Sequence, residues 1–111
     1  MVKLIAMLKR KSGITMEEFS QYWHEKHGPL ALTIMPGVKK YIQNHTVRLT
    51  GGGEPRFDGV AEICFDDLES WHKWTDWYLG DEGKALRDDE EKFMDRSKIV
   101  ALITDERVIK P

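Results

Sequence analysis

The order in which strand-like and helix-like patterns follow one another restricts the fold of this chain more than any single motif. Val2 to Lys9 is rich in Val, Leu and Ile and is too short to propagate as a helix, which suits a first strand. Met16 to His27 has a helical period. Val38 to Leu49 and Phe57 to Phe65 read as strands, separated by the Thr50–Pro55 segment TGGGEP. A helix follows from Asp66, broken at Gly80 and Gly83 and resumed over Lys84 to Asp95. The chain closes with an apolar strand over Lys98 to Val108. Strand, helix, strand, strand, helix, strand is the split βαβ order of an α+β, ferredoxin-like fold: one antiparallel sheet with helices on a single face. A sheet so covered has one bare face, and a chain of 111 residues, one domain over 1–111, has nothing left with which to cover it. A two-fold homodimer is the expected solution.

The first helix has the clearest local signals. Thr15 and Glu18 have the spacing of a capping box, and Gly13 permits the turn before it. At about 100° per residue, Met16, Phe19, Trp23, His27 and Leu30 share one arc. The buried stripe therefore contains a histidine. Gly28-Pro29 predicts a helix end at His27 or Gly28, because proline disfavours helical geometry in the residue before it. An imidazole in a last turn is favoured in its cationic form by the helix dipole and titrates near neutrality. The plain alternative is a packed histidine bonded to a carbonyl.

In the strands, Tyr41, Gln43, His45 and Val47 share one face, and Asp58, Val60, Glu62 and Cys64 share another. In the second long helix, Leu68, Trp71, Thr75, Tyr78 and Leu79 form the expected inner arc, with Trp77 nearly opposite Leu68 and so at a rim or a subunit contact. Ala85, Leu86, Asp89 and Phe93 lie on one side of the last helical piece.

Composition narrows the partners. Charged residues make up 32 % of the chain and are interspersed, with a net charge of −2, so no footprint for nucleic acid or anionic membrane is present. The sequence has neither an apolar run of membrane-spanning length nor a signal-peptide pattern, and Cys64 is the lone cysteine, which points to the cytoplasm. No base stands beside Cys64 to activate it, so an inert core thiol is expected. His24 and His27 lack the further ligands of a metal site, and no metal is expected. The three glycines of TGGGEP lack the lysine and the helix start of a phosphate loop and read as a hairpin connection.

The run KRKSGITMEEFSQYWHEKHGPL, then PGVKKYIQN and FDGVAEICF, resembles the EthD-type domain of the dimeric α+β barrel superfamily. Tyr22-Trp23, His27 and Pro29-Leu30 carry most of the likeness, supported by Tyr41, Asp58-Gly59, Glu62, Asp89 and Phe93. The resemblance implies a homodimer whose sheets pack into a barrel, with a small ligand in a cleft between sheet and helices. It also implies an association with bacterial ether degradation and kinship with proteins that isomerise lactones or reshape polyketide-like aromatics.

On that footing His27 is the expected general acid or base, with Asp58 as a second catalytic group. Tyr41, Glu62, His45 and Trp23 are expected ligand-binding residues, the polar ones converging on a carbonyl-bearing compound. Two functions fit. One is a cofactor-independent enzyme, of isomerase, cyclase, lyase or oxidoreductase type, acting on a small hydrophobic or aromatic metabolite by proton transfer. The alternative is a non-catalytic binding or accessory protein for an oxidoreductase system such as ether degradation.

Overall fold

A computed structural model describes all residues from Met1 to Pro111. Four strands, β1 (Val2–Leu8), β2 (Lys40–His45), β3 (Gly59–Phe65) and β4 (Val100–Asp105), form one antiparallel sheet in the order β2-β3-β1-β4. Helices α1 (Met16–Tyr22), α2 (Gly28–Ile34), α3 (Leu68–Leu79) and α4 (Lys84–Glu90) connect the strands. This is the ferredoxin-like βαββαβ arrangement, with α4 as an added piece before β4. No helix is long and apolar enough to cross a membrane.

The start of α1 follows its sequence signal. Thr15 Oγ1 accepts from the Glu18 N–H and Glu18 Oε1 accepts from the Thr15 N–H, both at 3.0 Å. The end does not. Instead of stopping at His27, the chain widens into a single π turn over Trp23–His27 and continues as α2 through Gly28 and Pro29. The Gly28 N–H reaches back to the Trp23 carbonyl, which also accepts from Gln43 Nε2 at 2.9 Å. Pro29 lies at the start of α2, where its missing N–H is best tolerated. A Cβ on Gly28 would lie 2.8 Å from Gln43 Nε2, so a larger residue there would displace the Gln43 amide from the Trp23 carbonyl.

The wide turn has a geometric use. Phe19, Trp23, His27 and Ala31 are all buried at a spacing of four residues. In an unbroken α-helix such a line drifts by about 40° per step. One π turn removes much of that drift and keeps all four side chains over the sheet, so that Ala31 rather than the expected Leu30 continues the buried stripe of Phe19, Trp23 and His27.

The core is divided. One cluster joins Leu8, Phe19, Trp23, Ala61, Phe93 and Met94, and a second joins Leu4, Ile63, Phe65 and Trp74. The α3 register differs from the sequence expectation: Leu68 and Leu79 are exposed, and Trp74, outside the expected arc, is the helix's buried residue. Trp74 stacks flat on Tyr78 at 5.0 Å between ring centroids. Trp77 is half-buried at the edge of the second cluster.

Gly59 shows how tightly the first cluster is fitted. A Cβ on it would meet Trp23 Cζ3 at 2.5 Å, so the indole lies directly on the strand backbone. Gly59→Ala should therefore destabilise the fold by about 1–3 kcal/mol through overpacking, measured as a lower midpoint in urea. An unchanged midpoint would show that the Trp23 ring has room to move.

The opposite face of the sheet is open. The strand registers place Ile5, Met7, Ile42, Val60, Val100 and Leu102 there, with Leu102 52 % exposed. A polar group crosses this apolar surface: Glu62 accepts from Lys3 Nζ at 2.8 Å and from Asn44 Nδ2 at 2.7 Å.

Candidate active site

Between the two core clusters lies a cavity of about 270 Å³. Its floor is explained by the strand pairing. Ala6 on β1 stands opposite Ala61 on β3 and Ala101 on β4, so three adjacent strands present methyl groups at one level. The neighbouring level on the helix side carries Tyr41, Ile63, Leu4 and Ile103. A row of small residues between larger ones leaves a hollow under the helices. Sixteen of the nineteen lining residues are hydrophobic, the exceptions being His27, Thr75 and Glu90. Thr75 Oγ1 donates within its own helix to the Trp71 carbonyl, which leaves His27, Glu90 and the hydroxyl of Tyr41 as the polar groups open to an occupant.

The π turn brings His27 to this wall, 3 % exposed. Its Nδ1 lies 2.7 Å from Asp89 Oδ2 of α4, and Asp89 Oδ1 accepts from the Tyr22 hydroxyl at 2.6 Å. A carboxylate only accepts, so Nδ1 carries the proton and Nε2 presents its lone pair. Nε2 has no protein partner. Burial lowers the His27 pKa, opposed by the Asp89 carboxylate, and the net shift favours the neutral ring. Burial pushes the Asp89 carboxyl up, but the bonds from Tyr22 and His27 outweigh it and hold the group below its ordinary value. The result is an oriented imidazole base of the carboxylate–histidine kind.

Tyr41 is the second polar tip at the cavity. Its hydroxyl oxygen accepts from Trp23 Nε1 at 3.2 Å and from Gln43 Nε2 at 3.3 Å, while its own proton has no protein acceptor. Burial raises its pKa, partly offset by those two donors, so it is a phenol at neutral pH with a proton to offer. Gln43 Oε1 accepts from His45 Nε2 at 2.9 Å, and His45 Nδ1 then accepts from the Ser20 hydroxyl at 2.7 Å.

The sequence candidates thus divide. His27, Trp23 and Tyr41 meet at the cavity. His45 stands behind Tyr41, its ring tilted against Trp23 at 4.6 Å between centroids, and braces the Tyr41–Gln43 network without lining the cavity. Asp58 does not reach His27. Fully buried before β3, it accepts from the Arg10 backbone N–H at 2.8 Å and from Arg10 Nη1 at 3.3 Å, tying that segment to the end of β1. Glu62 points to the open face, since residues of one strand alternate sides and Ala61 and Ile63 take the helix side.

The partner of His27 is a helical carboxylate rather than a strand group. Its signal in the sequence is an acidic residue sharing the α4 arc with Leu86 and Phe93, because an acid on an apolar face needs a partner. Nothing in the spacing says which histidine it meets. Glu90, 8 % exposed, has no comparable signal. No group of three or more His, Cys, Asp or Glu side chains is arranged to hold a metal ion.

Fold and site together define a ferredoxin-like α+β protein with an apolar cavity and a buried histidine–carboxylate pair at its wall. Residues 11–97 match the profile of the EthD domain, and the chain belongs to the EthD family. It is 30 % identical to an ethyl tert-butyl ether D (EthD) family protein from Bacillus halodurans C-125, with a TM-score of 0.74 over 96 % of this chain and 99 % of that one. An EthD-like protein from Ralstonia eutropha JMP134 is 17 % identical, with a TM-score of 0.74 over 98 % and 94 % of the two chains. A dimeric protein of unknown function with a ferredoxin-like fold, from Bacteroides fragilis NCTC 9343, is 13 % identical, with a TM-score of 0.65 over 95 % of each. No curated protein matches the chain.

Proposed function

We propose that this protein is a cytoplasmic, homodimeric proton-transfer enzyme that takes a small hydrophobic or aromatic metabolite into the cavity and uses His27 Nε2 as its general base. The observation that carries this reading is the pairing of His27 with Asp89, which fixes the tautomer and leaves a neutral nitrogen facing an apolar space. The lowered pKa of His27 leaves the ring unprotonated at pH 7 and able to take a proton from a ligand. Tyr41 complements it as a donor to a carbonyl oxygen, where charge develops when a neighbouring C–H is deprotonated. Isomerase, cyclase and lyase steps share this requirement, as does oxidation of a substrate whose carbanion reacts with oxygen itself. The dimer follows from the open apolar face of the sheet.

The test begins with native mass spectrometry of the purified protein, to identify the compound it retains. Turnover of that compound is then followed for wild type and His27→Ala. Removing a general base should lower the rate by about 10²–10⁴-fold while the compound is still retained. Unchanged turnover, or retention of a compound that wild type does not alter, favours the second reading, an accessory or carrier protein for an oxidoreductase system. The apolarity of sixteen of nineteen lining residues supports that alternative.

A further inference from the structure

The cavity holds one charged group that the proposed proton transfer leaves unused. Glu90 follows Asp89 on α4, so one residue holds His27 and the next faces the same space. Both protein contacts of its carboxylate fall on Oε1, which accepts from the Tyr78 hydroxyl and lies 3.2 Å from Arg96 Nε. The Tyr78 oxygen in turn accepts from Arg96 Nη2 at 3.2 Å. Oε2 has no protein partner. A role confined to anchoring Arg96 accounts for Oε1 but not for an unpartnered oxygen on a side chain 8 % exposed, at the wall of an apolar cavity. Oε2 is therefore free to accept from a donor that enters the cavity.

We propose that Glu90 Oε2 is a recognition site for a hydroxyl of the ligand, so that the cavity selects one- or two-ring compounds carrying a phenolic or enolic O–H over their unsubstituted or O-methylated counterparts. The proposal rests on the cavity being the ligand site. Size agrees, since 270 Å³ equals about nine waters at ~30 Å³ each, room for a fused pair of rings. Chemistry agrees too: Tyr41 and Glu90 both line the cavity, and Tyr41 offers a proton where Glu90 takes one, so the two read opposite groups on an occupant. A hydroxyl bound to a carboxylate makes a charge-assisted bond, and an ether at that position leaves the carboxylate unpaired.

Calorimetric titration of the full-length protein with 1-naphthol, 1-methoxynaphthalene and naphthalene tests this. Wild type should bind 1-naphthol at least about 10-fold more tightly than 1-methoxynaphthalene. Glu90→Gln should narrow that gap to about 3-fold or less and leave the naphthalene affinity unchanged. A second readout needs no variant: with Glu side chains labelled at the carboxyl carbon, 1-naphthol should shift one resonance that 1-methoxynaphthalene leaves in place. Equal affinities of wild type for naphthol and its methyl ether, or an equal loss for all three compounds in Glu90→Gln, overturns the assignment of Glu90 while leaving the cavity as a ligand site. Failure of all three to bind wild type overturns both.

Discussion

Asp89→Ala should lower the folding free energy by about 1.5–4.5 kcal/mol, because it strands one buried donor and removes the acceptor of a second, half-buried one. The His27 Nδ1–H and the Tyr22 hydroxyl both end on this carboxylate; leaving the buried Nδ1–H unpaired destabilises by about 1–3 kcal/mol, and losing the bond from the half-buried Tyr22 hydroxyl by about 0.5–1.5 kcal/mol. Chemical denaturation of wild type and variant at pH 7 measures the difference, and a loss under 1 kcal/mol would mean that water replaces the carboxylate. The pH dependence carries a second signature. His27 has a folded pKa below 6.5, so between the folded and unfolded values the unfolded chain binds more protons and stability falls as the pH drops from about 6.5. Asp89 also lies below its ordinary value, and its contribution, present above about pH 4, is lost as the pH falls through the folded value. In Asp89→Ala the lower of these two losses should vanish. The upper one should deepen, since nothing then opposes the burial of the ring.

Ile5→Glu should split the proposed homodimer, raising its dissociation constant by at least about 100-fold. Ile5 stands at the middle of the open sheet face, opposite Glu62 on one side and Leu102 on the other. A second carboxylate beside Glu62 would be desolvated and repelled when two such faces meet. Light scattering at 10 µM should give twice the chain mass of 12.9 kDa for wild type and the single mass for the variant. A wild-type protein that runs as a monomer would remove the open face as an argument for pairing.

The sequence makes the architecture legible because each element declares itself locally. Strand periods, the Thr15–Glu18 capping box and the turn glycines are short-range signals, and all four strands fall within the stretches those signals mark, the second and fourth being shorter than expected at both ends. The helix joining β1 to β2 is misjudged at its end because Gly28-Pro29 ordinarily terminates a helix, whereas here the π turn absorbs the missing N–H. The α3 register is misjudged because its tryptophans are amphipathic and Leu68 and Leu79 lie at the helix ends, where exposure is tolerated. At the site, His27 and Trp23 are legible as residues on an inward arc, whereas the β2 stretch has no cleanly apolar face and does not declare which way Tyr41 points. Asp89 is legible as an acid on the Leu86–Phe93 side of its helical piece, but its partner is not, since that depends on α4 folding back across 62 residues of chain to meet His27, and Glu90 has no signal of its own. Asp58 shows the converse: a carboxylate next to an apolar strand looks chemical in sequence and proves to be a clasp on the Arg10 backbone.

The alanine row across β3, β1 and β4 keeps two heritable traits apart. Ala6, Ala61 and Ala101 set the height of the cavity, while its polar groups come from the π turn, α4 and β2. Exchanging one methyl on the floor for a larger side chain changes which molecules fit without altering a backbone pairing or a polar contact. The size of the cavity can therefore be changed by single substitutions at three positions that leave the histidine–carboxylate pair intact.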